Sequence, residues 1–98
     1  MTIEIKKMGI DAVIELSGRL DTSTAPVLDK TISEDISENA NLVLDLKGLE
    51  YISSAGLRVL LSIQKRLQKS GSVKLRNVCE EVMDVFEMTG FADILVIE

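Results

Sequence analysis

Two adjacent hydroxyls, Ser53 and Ser54, followed by the small residues Ala55 and Gly56, are the part of this 98-residue chain best suited to chemistry. They stand where an apolar run ends and a helical pattern begins. A serine there has backbone N–H groups beside it that lack an intrahelical partner, and the positive end of a helix dipole beneath it. Such a position accepts a phosphate without breaking the fold. The simpler reading is a helix N-cap, for which serine is a preferred residue contributing about 1 kcal/mol. A cap needs one hydroxyl, however, and here there are two. Gly56 costs about 1 kcal/mol inside a helix, so it invites a reason beyond helix formation. With Ala55 it keeps the first turn small and leaves the hydroxyls open to an approaching active site.

Other chemistries are excluded by what the chain lacks. It contains no histidine, which removes the commonest general base and a favoured zinc ligand. Ser-His-Asp and Cys-His hydrolysis are ruled out, there is no Gly-x-Ser-x-Gly elbow, and no metal cluster is expected. Nucleotide binding is the weaker alternative: a helix N-terminus can hold phosphate, but the Gly-x-x-x-x-Gly-Lys-Ser/Thr loop is absent, and no cofactor is expected. Sixteen acidic and 11 basic residues give a net charge of −5, which disfavours nucleic acid and leaves no polybasic patch for a membrane. Met1-Thr2-Ile3-Glu4-Ile5-Lys6 does not read as a signal peptide. No apolar stretch approaches the roughly 18 residues of a membrane helix. The single cysteine, Cys79, allows no internal disulfide. A cytoplasmic monomer is the expectation.

The hydroxyls need a frame, and the periodicity supplies one. Ile3–Lys6 and Ala12–Leu16 alternate about a turn at Met8–Asp11 and predict an antiparallel hairpin. Ser17–Thr24 reads as a loop. A helix then opens near Ala25, with Pro26 in its first turn and Ala25, Leu28, Ile32 and Ile36 on one face. Leu42–Leu46 is a nearly continuous apolar strand, the pattern of one covered on both faces. After a loop over Lys47–Ser54, a helix is predicted from about Ser54 to Ser70. Its inward stripe is Leu57, Leu60, Leu61 and Leu67, with Ile63 flanking. A short strand at Val73–Asn77, a helix at about Glu80–Met88 burying Val82, Val85 and Phe86, and a last edge strand at Ile94–Ile97 complete the order. The expected fold is one α/β domain over residues 1–98. It has a mixed, mostly parallel sheet of four to five strands, an N-terminal β-hairpin and helices mainly on one face. Right-handed crossovers place the helices on one sheet face, and parallel strands put their β-to-α loops at one edge, which makes Asp21 and Ser54 predicted neighbours.

The segment Asp45-Leu46 through Tyr51-Ile52-Ser53-Ser54-Ala55-Gly56-Leu57 resembles the central motif of STAS domains, specifically the bacterial anti-sigma factor antagonists. The loop Gly18-Arg19-Leu20-Asp21-Thr22-Ser23-Thr24-Ala25 resembles their other hallmark, and element order and length agree across essentially the whole chain. The resemblance implies a binding switch and no enzyme. Unphosphorylated, such a protein binds an anti-sigma factor that is also a serine kinase, and so frees a sigma factor. The kinase inactivates it by phosphorylating a serine at the start of the central helix, and a PP2C-type phosphatase reverses this. Carried over by position, that serine is Ser54, with Ser53 the weaker candidate. Asp21, Thr22, Ser23, Ser53, Ser54, Gly56 and Arg58 are then the expected partner-binding residues. Ser53 stands where many members carry Asp, and Ala55 where others often have Ser or Thr. The alternative is a non-phosphorylated STAS subunit of a transporter or larger signalling assembly.

Beside these, Arg58 reads as a counterion for the phosphate or a partner contact, against an ordinary solvated arginine. Asp45 is expected to accept N–H bonds and hold the following loop. Tyr51 is expected to pack beneath that loop, against the alternative of an exposed anchor for the partner, and Cys79 to be buried or half-buried.

Overall fold

A computed structural model describes all 98 residues. The first two strands, β1 (Thr2–Met8) and β2 (Asp11–Leu20), pair antiparallel in the register Ile3↔Leu16, Ile5↔Ile14. Gly9 turns between them with φ +67, while Ile10 stays at negative φ. Positive φ at the first central residue alone is the mark of a type II′ hairpin turn, which matches the twist of the strands. Two parallel strands follow, β3 (Asn41–Ile52) and β4 (Ser72–Arg76), and the sheet runs β1-β2-β3-β4. The strands are joined through the helices α1 (Ala25–Asp35) and α2 (Ser54–Leu67), with α3 (Glu80–Thr89) after β4.

One face of this sheet is the core. Ile14, Leu44 and Leu75 are paired across three strands and fully buried, and Ala12, Leu16, Leu42, Leu46 and Val73 are buried with them. Against them pack Ala25, Leu28 and Ile32 of α1, Leu57, Leu60, Ile63 and Leu67 of α2, and Val82 and Phe86 of α3. All three helices therefore lie on one side, as a monotonic strand order with right-handed crossovers requires. Arg66 clasps α2 to α1, its guanidinium donating to Asp29 Oδ1 at 2.6 Å and to Ser33 Oγ at 2.7 Å.

Several expectations need correction. The strand β3 is not covered on both faces: Val43 is only half-buried, and Asp45 is the outer-face residue that is closed off, by polar partners. The segments Ser17–Leu20 and Lys47–Ile52 are strand, not loop. Pairing with each other holds them extended, through slips between Glu15/Ser17 and between Gly18/Arg19. Within α2, Ile63 is fully buried and Leu61 only half-buried, because the helix turns Ile63 and Gln64 to the core. In α3, Val85 is likewise half-buried. A fifth strand does not form: Phe91–Asp93 make a 3-10 turn after Gly90, which closes α3 at φ +80. That turn delays the return to the sheet, leaving only a one-residue parallel bridge, Leu75↔Ile97. Gln64 secures this return by donating its side-chain amide to Ile94 O at 2.6 Å.

Candidate functional site

The site is built where β2 and β3 end. Their last pair is Leu20↔Ile52, and the chain continues from one into the Asp21 loop and from the other into α2. The Ser53 N–H donates to Leu20 O at 2.9 Å, so loop and helix start as one bonded unit. The predicted neighbourhood of Asp21 and Ser54 follows, since each is the next residue after a bonded partner.

The two hydroxyls divide their roles. Ser53 is the N-cap, extended at φ −96 and ψ 176, and its Oγ accepts the Gly56 N–H at 3.3 Å. Ser54 is the first residue of α2 and is exposed, its hydroxyl engaged by no group of the chain. Gly56 is buried, which corrects its assignment as a contact residue: a Cβ there would stand 2.8 Å from Leu20 O and 2.8 Å from Ile52 Cγ1. Its smallness lets α2 close onto the ends of β2 and β3. Arg58 is exposed, four residues after Ser54 on the same face of α2.

The facing loop is ordered by its own carboxylate. Asp21 Oδ1 accepts the Ser23 N–H at 3.0 Å, the Ser23 hydroxyl at 2.8 Å and the Thr24 N–H at 3.2 Å. The Ser23 hydroxyl and the Thr24 N–H hold the Asp21 carboxyl below the usual carboxylate range. Thr24 Oγ1 in turn donates to Arg19 O at 2.8 Å, closing the loop onto β2. Thr22 and Ser23 are exposed at its tip.

Tyr51 does not pack beneath the loop. It is exposed, and the Arg19 guanidinium lies 4.1 Å from its ring centroid, the two residues being a register pair of β2 and β3. Residue type alone gives Arg19 no such role. Its position opposite the only tyrosine depends on strand register, and the slip between Gly18 and Arg19 that sets it has no signal in residue type.

Asp45 stands behind this edge as a structural brace. Its Oδ1 accepts the Lys47 N–H at 3.0 Å and Asn77 Nδ2 at 3.1 Å, and its Oδ2 accepts Arg76 Nε at 3.2 Å. Asn77 sits at φ +56, a left-handed conformation that asparagine tolerates better than most residues. Burial pushes the Asp45 carboxyl upward, but the donors from Asn77, Lys47 and Arg76 outweigh it and the net shift is downward. Cys79 is half-buried, its Sγ 3.3 Å from Leu49 O. The depression of about 410 Å3 lined by Thr2, Glu4, Glu15, Ser17, Asp45 and Lys47 belongs to the outer sheet face and not to Ser54. What surrounds Ser54 is an exposed surface of helix start and loop, suited to a macromolecule and not to an enclosed small ligand.

The STAS domain profile matches residues 2–98. The chain belongs to the STAS domain family. Among relatives, the anti-sigma-B factor antagonist of Bacillus subtilis is 32% identical over 96 residues, covering 97% of this chain and 88% of that protein. Among solved structures, an anti-sigma factor antagonist from Mycobacterium paratuberculosis superposes with a TM-score of 0.86 at 24% identity, over 98% of this chain and 83% of that one. SpoIIAA, solved unphosphorylated and phosphorylated, shares the fold with TM-scores of 0.80 and 0.72 at 19% and 17% identity. These superpositions cover 99% of this STAS chain in both forms, and 88% and 91% of SpoIIAA. No helix of the protein is long and apolar enough to cross a membrane.

Proposed function

We propose that this STAS protein is an anti-sigma factor antagonist, a regulatory binding module and not an enzyme, switched by phosphorylation of Ser54. Unphosphorylated, it binds an anti-sigma factor and so frees the sigma factor. That anti-sigma factor is itself the serine kinase that modifies Ser54, and a PP2C-type phosphatase restores the free hydroxyl. The proposed compartment is the cytoplasm. The observation that carries this reading is the division between the serines: Ser53 is spent on capping α2, while Ser54 is exposed and unengaged beside it.

The physics of the switch is local. A phosphoserine adds about −1.5 to −2 charge at pH 7. At the first residue of α2 it meets free N–H groups and a favourable dipole, so the fold survives. A partner surface shaped to a neutral hydroxyl then meets bulk and a dianion, in a chain already at −5. Leaving a buried charge unpaired at an interface costs several kcal/mol, enough to abolish a micromolar complex.

The test is incubation with ATP and the anti-sigma factor kinase, with the modified residue located by mass spectrometry. Transfer to Ser54, lost in Ser54→Ala, and loss of binding in a folded Ser54→Asp support the reading. Stable complex formation without transfer would favour the non-phosphorylated STAS subunit instead.

A further inference from the structure

The outer face of α2 carries charge of one sign, extending beyond Arg58. Ser54, Arg58, Leu61, Ser62 and Lys65 recur at helical spacing on one face, and the turn after Leu67 carries the line on to Lys69. From Ser54 to Lys65 the track is about 16 Å long at the usual helical rise. Its side chains from Arg58 to Lys69 line an open groove of about 670 Å3. Arg58, Lys65 and Lys69 are exposed, and none takes part in an ion pair of the chain.

Soluble surfaces usually intersperse both signs. In α2 there is no acid at all, although the chain holds 16 acids against 11 bases. By contrast, α3 carries Glu80, Glu81, Asp84 and Glu87 and no base. Lys65 and Lys69 near the carboxyl end of α2 are favoured by the dipole, but Arg58 in its second turn is not. Helix electrostatics therefore does not account for Arg58, which stands in line with two other unpaired cations and with Ser54.

We propose that this cationic face of α2 is the docking track for an acidic surface of the anti-sigma factor kinase, beginning at the hydroxyl to be phosphorylated. The inference rests on the functional reading above and adds the chemistry of the partner. It also sharpens the switch. A phosphate on Ser54 places like charge against the acidic partner at the head of the track, and draws on Arg58 one turn away, so a docking cation is neutralised at the same time.

Three proteins test this: wild type, Lys65→Glu/Lys69→Glu, and Lys7→Glu/Lys47→Glu. The last carries the same net charge on exposed residues outside α2. Each is titrated with a purified anti-sigma factor kinase, at about 50 and about 300 mM KCl, which shortens the screening length from about 14 to about 6 Å and so weakens exposed charge pairs. The expected result is affinity roughly tenfold or more weaker for the α2 variant, within about twofold of wild type for the control, with wild-type binding weakening as salt rises. Equal effects in both variants, or none, overturn the docking track while leaving the functional reading in place. A wild type that binds no kinase overturns both. Sedimentation of each protein alone and with phosphatidylserine vesicles completes the test: self-association or vesicle binding that depends on Lys65 and Lys69 assigns the face to another occupant and overturns the proposal.

Discussion

Ser53 and Leu20 are joined by a backbone hydrogen bond of 2.9 Å between segments that are separated by the whole of α1 and β3. Through that bond the Asp21 loop and the start of α2 are tied together at the ends of β2 and β3. The exposed Ser54 hydroxyl is thereby held in a fixed relation to Asp21, Thr22 and Ser23, whichever partner approaches.

The neighbouring serines are expected to separate cleanly in mutagenesis. Ser53→Ala removes the cap of α2 and lowers stability by about 1 kcal/mol. Ser54→Ala removes an exposed, unengaged hydroxyl and stays within about 0.5 kcal/mol of wild type. Urea unfolding of the two variants measures this, and equal losses would contradict the division of roles.

Gly56→Ala sets helix propensity against packing. The substitution gains about 1 kcal/mol of intrinsic helicity. It also drives a methyl to 2.8 Å from the Leu20 carbonyl, a backbone group that cannot rotate away. The net expectation is a loss of about 1–3 kcal/mol, as overpacking usually costs. Thermal melts would show the sign, and amide shifts at Leu20 and Ser53 would locate the strain.

Asp45 predicts the acid limb of the stability profile. Its folded pKa lies below the ordinary carboxylate value because of Asn77, Lys47 and Arg76. The unfolded chain therefore takes up the proton first as pH falls. The contribution of Asp45 is complete above the unfolded value and is lost as pH drops through the folded one. Asp45→Asn should be less stable at pH 7 by about 1–3 kcal/mol, the cost of weakening a charged hydrogen-bond hub. The gap to wild type should narrow below about pH 4. Urea midpoints followed from neutral to acidic pH would show it, and a gap independent of pH would refute it.

Arg19 and Tyr51 offer a pairwise test at the site edge. The stacked guanidinium and ring should couple by about 0.5–1 kcal/mol, the value for an exposed cation–π contact. A double-mutant cycle of Arg19→Ala and Tyr51→Phe would be insensitive, since the ring remains; Arg19→Ala with Tyr51→Ala is the informative pair.

Much of this architecture can be read from residue order. The hairpin, the two parallel crossovers, the aliphatic core and the meeting of the Asp21 loop with the α2 start all follow from periodicity and from handedness. What escaped is what depends on pairing. Gly18 and Arg19 have turn-like composition, yet β3 holds them as strand, since neighbouring strands override local preference. Ile94–Ile97 has the β-branched composition of a strand, yet the 3-10 turn at Phe91–Asp93 brings only Ile97 into register. Gly56 reads as leaving room for a visitor, whereas the room is filled by Leu20 and Ile52. Tyr51 reads as a packing residue because aromatic residues usually are, yet it alternates with the buried Ile52 and faces outward, and the two slips in β3 decide only that Arg19 stands opposite it.

The chain has no tryptophan and one tyrosine. That ring, at Tyr51, stands two residues from the capping serine and against the Arg19 guanidinium. The protein thus carries its own optical reporter: ultraviolet emission from a lone fluorophore, with no label attached, registers arrival at the edge where Ser54 lies. Against a tryptophan-containing kinase the same ring becomes an energy-transfer donor, so assembly and release can be followed in real time on unmodified material.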